Sequence, residues 1–344
     1  MQSHSNYMGW SPFFSGQIQP HELGLMPVRI STDVGQTYTA LDLSGNSYKL
    51  SATPSFAGDR HSVGDWLLVR PDHEPTIVRR LERSSAVFRK KAGRSSSPQI
   101  IAANLDTVFI VTAAGSDFNP RRIDRYIAAV GSGNARPVIV VNKADLARCN
   151  HKEFVRRLPP GIPVIVASAL MKTGIEALQP WLEPGQTVGF VGSSGVGKST
   201  LINALMGENR MGTGGVRIRD ERGQHTTTRR ELVQLRNGAV LIDTPGMREF
   251  GLWEGTDLTS AFVDICSLEE SCRFHNCTHA NEPGCAVQAA IEEGTLSAGR
   301  LKSFRKLKTE SGRHRNRREV VERRERSKLA AESRRKVRLR DRKR

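Results

Sequence analysis

The segment that most restricts the fold of this chain is a glycine-rich run of eight residues. It reads Gly192-Ser193-Ser194-Gly195-Val196-Gly197-Lys198-Ser199. An apolar, strand-like run precedes it and a helix-like stretch, 200–206, follows it. In that context glycines allow backbone N–H groups to point at phosphate oxygens, and the helix adds its partly positive N-terminal end. The sequence therefore predicts a phosphate-binding loop between a strand and a helix.

Individual residues of this loop have predicted roles. Lys198 is expected to reach the β- and γ-phosphates and to act in catalysis, while Ser199 is expected to coordinate Mg²⁺. Thr200, the next residue, is expected to contact the nucleotide as well. A second segment, Asp243-Thr244-Pro245-Gly246, follows another strand-like run. There Asp243 can hold Mg²⁺ through water, and the Gly246 N–H can meet the γ-phosphate.

Two further segments predict that the base is guanine. Asn142-Lys143-Ala144-Asp145 follows an apolar run, and Ser168-Ala169 follows another. The Asp145 carboxylate can accept the two hydrogens that guanine presents and adenine lacks, so it selects GTP over ATP. The aliphatic stem of Lys143 can cover the base, and a backbone N–H at Ser168-Ala169 can meet the guanine carbonyl.

These segments sit at the ends of predicted strands in an α/β pattern. Strand-like runs occur at 107–112, 137–141, 163–167, 187–191 and 239–242, and helical patterns at 121–130 and 175–181. Ligands of open α/β sheets bind beyond the carboxyl ends of the strands. The guanine segments precede the phosphate loop, which reverses the order of Ras-like GTPases. The sequence therefore predicts a circularly permuted P-loop GTPase domain.

The residues before this domain predict a small β-barrel. Short β-like runs at 28–30, 38–43, 47–50, 66–69 and 76–81 are separated by turn residues at hairpin spacing. Five short strands fit an OB-fold, and an SH3-like barrel would give the same pattern. Residues 1–25 are interpreted as an irregular arm or a short docking helix, and the basic run 89–98 as a linker.

Cysteine and histidine cluster after the α/β pattern. Cys272, Cys277, His279 and Cys285 supply three thiolates and one imidazole within 14 residues. This donor set predicts a closed, structural zinc site, and the clustering indicates a reducing compartment rather than a disulfide framework. By spacing alone, Cys266 or His275 could also be a ligand.

The net charge is concentrated at the C-terminus. Residues 302–344 hold 20 Lys and Arg against 6 Asp and Glu, which accounts for +14 of the net charge of +17. Such a segment favours a polyanionic partner, and nucleic acid is the usual one. No stretch reaches ~18 apolar residues, and the N-terminus lacks the pattern of a signal peptide, so neither a membrane span nor secretion is expected.

Taken together, the patterns predict a multidomain α/β protein. Its parts are an N-terminal arm (1–25), an OB-fold β-barrel (26–92), a circularly permuted GTPase domain (93–252), a helical zinc-binding domain (253–300) and a basic, helix-prone tail (301–344).

Beyond the nucleotide motifs, three segments resemble one known family. They are 102–106 (Ala-Ala-Asn-Leu-Asp), 119–126 (Asn-Pro-Arg-Arg-Ile-Asp-Arg-Tyr) and 222–228 (Arg-Gly-Gln-His-Thr-Thr-Thr). The chain resembles the RsgA/YjeQ family of circularly permuted GTPases that depend on the small ribosomal subunit. The resemblance covers most of the chain but not the tail. It implies a cytoplasmic, monomeric GTPase that binds 16S rRNA and the 30S subunit and assists late maturation, converting GTP to GDP.

The catalytic water needs a partner that the usual position does not supply. Ras-like enzymes carry a Gln directly after the glycine that corresponds to Gly246, whereas this chain has Met247, which cannot usefully orient water. His225 is the candidate replacement, and the resemblance points to it as well. One of Thr226–Thr228 is expected to sense the γ-phosphate and Mg²⁺.

The sequence is also compatible with two other functions. The chain could be a non-enzymatic RNA-binding assembly module with a vestigial nucleotide site, although intact Lys198, Ser199 and Asp243 argue against it. It could also be a GTPase of DNA or membrane traffic. The lack of an apparent anchor weakens the membrane version, and only the resemblance argues against DNA.

Overall fold

The computed structural model describes residues 7–51, 60–90, 98–115, 118–146, 151–207, 231–243, 252 and 256–311. Several predicted functional residues lie outside this part of the chain, namely Gly246, Met247, His225 and Thr226–Thr228, as do residues 312–344 of the basic tail. Within it, no helix is long and apolar enough to cross a membrane.

The first five strands form an antiparallel sheet at the places where the sequence predicts strands. They are β1 (Met26–Asp33), β2 (Thr37–Asp42), β3 (Ser47–Ser51), β4 (Trp66–Arg70) and β5 (Thr76–Arg80). Their order is β3-β2-β1-β4-β5, and β3 and β5 approach each other. A fourth strand that returns beside the first defines a Greek key, the topology of OB-type barrels. The pairing therefore fits the OB-fold prediction.

The N-terminal arm packs against this barrel through aromatic rings. It contains a 3₁₀ turn (Tyr7–Gly9), the short helix α1 (Pro12–Ser15) and a second 3₁₀ turn (Pro20–Glu22). The Trp10 ring centroid lies 4.7 Å from that of Trp66 on β4, and the Phe14 centroid lies 5.9 Å from it. Both arm rings are buried, so the arm docks by covering the fully buried indole of Trp66.

Two paired strands take up both ends of the predicted linker. Strands β6 (Ala86–Lys90) and β7 (Pro98–Ala103) pair in an antiparallel manner and span the predicted boundary at 92/93. Val87 and Ile101 are fully buried, whereas the basic, serine-rich composition that suggested a linker belongs mostly to residues 91–97. The linker interpretation of 89–98 was therefore wrong at both ends, because strand residues flank the basic centre.

The central sheet has the predicted parallel strands. They are β8 (Thr107–Ala113), β9 (Arg136–Asn142), β10 (Val164–Val166), β11 (Thr187–Val191) and β13 (Val240–Asp243), arranged β10-β9-β8-β11-β13. One strand that the sequence analysis missed, β12 (Glu231–Gln234), pairs antiparallel with β13. Through the pairing of Glu231 with Thr32, β12 also joins this sheet to the barrel, giving eleven connected strands in the described part of the chain.

Helices flank this sheet. They are α2 (Pro120–Gly131), α3 (His151–Arg156) and α4 (Lys198–Met206), and short 3₁₀ turns occur at Ala144–Leu146, Glu176–Trp181 and Thr259–Ala261. The predicted helix at 175–181 is one of these 3₁₀ turns, because Pro180 lies inside it and lacks the N–H that an α-helix needs. The prediction of α2 is confirmed, and Asn119 caps it by accepting a hydrogen bond from the Arg122 N–H.

The described part of the C-terminal unit, residues 256–311, contains three α-helices, and the third includes the beginning of the predicted tail. They are α5 (Val263–Glu269), α6 (Ala286–Glu292) and α7, over 298–311. Leu301, Phe304 and Leu307 of α7 are buried, and the Phe304 ring packs 5.2 Å from that of Phe262. Residues 301–311 therefore belong to a packed core, because an apolar face recurs every three or four residues among the charged ones.

A buried guanidinium joins the arm, the barrel and the central sheet. Arg29 on β1 is 1% exposed. Its Nε donates to the Gly64 carbonyl at 3.1 Å, one Nη donates to the Asn104 carbonyl at 2.9 Å, and the other donates to Thr187 Oγ1 at 2.9 Å and to the Met8 carbonyl. Burial lowers the pKa of Arg29 to about 10, and Asp106 and Asp65 oppose the shift.

We expect Arg29→Met to lower the free energy of unfolding by about 3 kcal/mol, because it leaves several buried carbonyls without a donor. Arg60→Met is the matched control, since the Arg60 side chain is 55% exposed and pairs with Asp33 at the surface. Its cost should stay below about 1 kcal/mol. Urea unfolding of the two variants and the parent measures the difference, and equal costs would contradict the role of Arg29.

Candidate functional site

The predicted nucleotide-binding segments gather at one edge of the central sheet. Strands β8, β9, β10, β11 and β13 run parallel, so their carboxyl ends lie side by side. Asn142 ends β9, the phosphate loop begins directly after β11, and Asp243 ends β13. The edge therefore carries segments from distant parts of the sequence, as expected of a ligand site in an open α/β sheet.

The phosphate loop has a backbone that requires glycine at two positions. Gly192 and Gly197 have φ values of 147° and 94°. A Cβ on Gly192 would lie 2.2 Å from the Val111 carbonyl oxygen, and one on Gly197 would lie 2.3 Å from the Asn142 amide nitrogen. The loop therefore packs against β8 and β9 so closely that a side chain at either glycine would displace it.

The side chain of the loop lysine donates hydrogen bonds to carbonyl groups of the same loop. Lys198 Nζ donates to the Gly192 carbonyl at 2.8 Å and to the Ser193 carbonyl at 2.6 Å. Its ammonium group is thus held over the concave side where phosphate oxygens would be its stronger partners. Ser199 and Thr200 occupy the first turn of α4, while Ser194 and Gly195 are exposed at the loop tip and Val196 is buried beneath it.

Asn142 connects the phosphate loop to the predicted guanine loop. Its Nδ2 donates to the Val196 carbonyl at 2.9 Å, and its Oδ1 accepts from the Ala169 N–H at 2.9 Å. The side chain is buried, with 2% of the residue exposed. A single amide therefore sets the separation between the segment predicted to hold phosphates and the segment predicted to hold the base.

The carboxylate that is predicted to select the base lies at the rim of this arrangement. Asp145 is exposed and accepts a hydrogen bond from Ser168 Oγ, which in turn accepts one from the Met171 N–H at 3.1 Å. Ala144 donates its N–H to the Ala167 carbonyl at 3.1 Å, and Lys143 adopts a left-handed backbone with φ 60°. These contacts present the carboxylate toward solvent at the edge of the sheet, where a base can reach it.

The remaining predicted site residues divide into two groups. Asp243 is half-buried and pairs in register with Glu231. Gly246 and His225 lie outside the described residues, so their placement stays a prediction.

Sequence reasoning missed one residue that contacts the phosphate loop. Arg122, in the first turn of α2, donates a hydrogen bond from Nη1 to Ser193 Oγ. The start signal Asn119-Pro120 locates this turn, but it does not indicate which element the turn faces. That contact depends on the packing of α2 against the sheet.

The four predicted metal ligands converge in the C-terminal unit. Their ligand atoms all lie within 4.8 Å of one another. Cys272 Sγ lies 3.9 Å from Cys285 Sγ and 3.7 Å from His279 Nδ1, which is 3.5 Å from Cys285 Sγ. Bonds of about 2.3 Å to sulphur and about 2.0 Å to nitrogen would place tetrahedral ligands roughly 3.8 Å (S–S) and roughly 3.5 Å (S–N) apart. The cluster can therefore hold a four-coordinate metal ion.

A neighbouring carboxylate orients the histidine ligand. His279 Nε2 lies 2.8 Å from Glu269 Oε1, so protonation of Nε2 leaves Nδ1 free to face the three sulphurs. Burial opposes ionisation of Glu269, but its hydrogen bonds to His279 and Lys308 lower its pKa below the usual value. Sequence reasoning missed Glu269, which comes from α5. The alternatives Cys266 and His275 are not part of the ligand group.

Comparisons with a family model, with curated sequences and with solved structures all point to the same family. The family model described as RsgA GTPase matches residues 80–253. Two curated relatives carry the name small ribosomal subunit biogenesis GTPase RsgA. The one from Opitutus terrae is 41% identical over 326 residues, covering 88% of each chain, and the one from Methanosarcina acetivorans is 48% identical over 259 residues, covering 74% of this chain and 70% of its own. The crystal structure of YjeQ from Thermotoga maritima matches with a TM-score of 0.64 and 25% identity, over 83% of this chain and 98% of that chain.

We expect Glu269→Ala to weaken metal binding about 10- to 100-fold, because the imidazole of His279 loses the partner that orients it. Competition with a chromophoric chelator measures the affinity. Glu270→Ala is the matched control, since Glu270 is exposed and adjacent in sequence. Equal metal affinities in the two variants would show that Glu269 does not support the ligand.

Proposed function

The chain belongs to the RsgA GTPase family, and we propose that it hydrolyses GTP to GDP and phosphate on the small (30S) ribosomal subunit during late maturation. The names of the curated relatives support the subunit as the partner. The observation that carries the proposal is the pair of hydrogen bonds at the Asn142 amide, which donates to the Val196 carbonyl and accepts from the Ala169 N–H. They assemble a two-part nucleotide site in spite of the permuted chain order.

In this proposal the base and the phosphates are bound by different loops. Asp145 accepts the hydrogens of the guanine N1–H and amino groups, Lys143 covers the base, and the Ala169 segment meets the guanine carbonyl. The backbone of 192–197 surrounds the phosphates, and Lys198 exchanges its two loop carbonyls for phosphate oxygens. Ser199 and Asp243 would hold Mg²⁺, which neutralises charge on the phosphates.

Hydrolysis then requires a group that orients water and one that stabilises charge. Lys198 supplies the charge, since its ammonium already lies over the loop. Met247 cannot orient water, so we assign that role to His225, with one of Thr226–Thr228 sensing the γ-phosphate. Intrinsic turnover should therefore be slow and should rise when the subunit positions this segment.

We assign the ion of the C-terminal unit to zinc, with Cys272, Cys277, His279 and Cys285 as its ligands. Three thiolates and one imidazole form a closed set that leaves no position for a substrate, so the ion stabilises the fold. It would contribute folding free energy to helices α5 and α6, which are only seven residues long each.

The barrel and the zinc unit are proposed to bind 16S rRNA, mainly through its shape and phosphates. Residues 312–344, with 16 Lys and Arg against 5 Asp and Glu, would add affinity that falls as salt rises. A monomeric enzyme of this kind would work in the cytoplasm, where ribosomal subunits are assembled.

The decisive experiment measures GTP turnover alone, with purified small subunits, and with DNA of equal charge. We expect strong stimulation by subunits and none by DNA. Asp145→Asn should relax the preference for GTP over other nucleoside triphosphates, because the amide no longer accepts both guanine hydrogens. Absence of turnover with subunits would favour a non-enzymatic RNA-binding module, and equal stimulation by DNA would favour a function on DNA.

We expect His225→Ala to lower subunit-stimulated turnover about 100-fold or more while leaving GTP affinity unchanged. Binding of a fluorescent GTP analogue gives the affinity, and phosphate release gives the rate. Lys198→Ala is the contrasting variant, since it should weaken nucleotide binding as well. Normal stimulated turnover in His225→Ala would exclude the histidine from catalysis.

A further inference from the structure

A cavity of about 660 Å³ lies between the metal-binding loop and helix α7. We refer to it as the α7 cavity. The residues that matter for its chemistry are Phe274, Thr278, Phe304, Arg305 and Lys308. The cavity is separate from the nucleotide site, and its volume would accommodate a group the size of one nucleotide.

One wall of the α7 cavity is an exposed aromatic ring in the metal-binding loop. Phe274 is 40% exposed and lies between two ligand cysteines, Cys272 and Cys277. The Arg273 guanidinium lies 5.6 Å from the centroid of its ring. Exposing a phenyl ring to water is unfavourable, and two of the predicted metal ligands flank this ring in the sequence. An exposed ring of this kind is a platform on which a planar base can stack.

The other wall presents positive charge beside this ring. Arg305 is exposed, and within the described residues its guanidinium donates one hydrogen bond, to the Thr278 carbonyl at 3.2 Å, so further N–H groups remain for a ligand. Lys308 is 60% exposed at its side chain, and its Nζ lies 4.9 Å from the centroid of the buried Phe304 ring.

The acidic group of the cavity is already engaged by its neighbours. Glu269 Oε1 lies 2.8 Å from His279 Nε2 and 3.1 Å from Lys308 Nζ. This ion pair offsets much of the repulsion that the carboxylate would exert on an anionic ligand. The Lys308 ammonium has three N–H donors and uses one of them on Glu269, so Arg305 and Lys308 together form a wall suited to a phosphate.

We propose that the α7 cavity binds one unpaired nucleotide of RNA, with its base stacked on Phe274 and its phosphate held by Arg305 and Lys308. The inference rests on the proposed function, which supplies RNA as the partner. Stacking on an aromatic ring next to a guanidinium is how proteins bind unpaired RNA bases. An acidic peptide would use the cations and leave the ring without a planar partner, so RNA is the occupant that the two walls favour together.

The test uses the full chain and three probes: a single-stranded RNA heptamer, inorganic polyphosphate of similar charge, and a glutamate heptamer. Measurements at raised salt, about 0.3 M, weaken contacts that depend on charge alone. Phe274→Leu should weaken binding of the RNA heptamer about fivefold or more and leave polyphosphate binding unchanged, because leucine keeps apolar area but cannot stack. Phe13→Leu is the matched control, since Phe13 is also exposed but lies on the N-terminal arm.

Substitutions of two adjacent basic residues of α7 test the cationic wall. Arg305→Gln should weaken RNA binding more than Lys306→Gln, because Lys306 is exposed but does not line the cavity. Metal content and the thermal midpoint show that each variant is folded. In Phe274→Trp the new indole should be quenched by the RNA heptamer and not by polyphosphate, which reports stacking at this position directly.

The outcomes separate this inference from the proposed function. If subunits stimulate GTP turnover but Phe274→Leu binds RNA like the parent and the Phe274→Trp indole is not quenched, the cavity does not bind a nucleotide. The same conclusion follows if the glutamate heptamer binds as tightly as RNA. If subunits fail to stimulate turnover of the parent chain, the proposed function itself is wrong.

Discussion

The guanidinium of Arg29 is the interaction on which the arrangement of the N-terminal half depends. A buried cation is tolerated only when nearly all of its donors are paired, and here the acceptors come from the arm (Met8), the barrel (Gly64), the segment after β7 (Asn104) and the start of β11 (Thr187). Moving any of these units would leave a charge or a carbonyl unpaired in the interior. Because β11 leads directly into the phosphate loop, the barrel is attached to the strand that supports the proposed nucleotide site.

Helix α2 makes an equivalent connection to the C-terminal unit. Its first turn contacts the phosphate loop through Arg122, and the next turn carries Asp124, which is buried and pairs with Arg300 of α7 at 2.8 Å. Arg300 also pairs with Asp264 of α5 at 2.6 Å, and Arg125 pairs with Glu310 at 2.8 Å. One helix of 12 residues thus contacts the proposed nucleotide site at its first turn and the C-terminal unit at the next.

The elements that sequence reasoning located correctly have a strong local pattern. The five barrel strands, the parallel strands and α2 are each defined by periodicity and turn residues over a few positions. The elements that it missed or misread have a weak local pattern, and contacts with residues distant in sequence determine their structure. Strand β12 is four residues long and is paired on both sides, the hairpin β6–β7 is interrupted by a basic segment, and α7 hides an apolar face among lysines and arginines. Pro180 changes a helical pattern into a 3₁₀ turn because a single missing N–H outweighs the apolar spacing.

The sequence by itself determined the chemistry of this protein. The phosphate loop, the carboxylate that can select guanine and the Cys₃His donor set depend on residue type and on short spacing, which are properties of the chain as read. Only the tertiary structure decided how these groups support one another. The amide of Asn142 spans two loops, Glu269 orients His279 from another helix, and Arg29 joins three units, because each of these contacts connects residues that are distant in sequence or depends on burial. Local patterns report which groups are present, and long-range packing sets which of them meet.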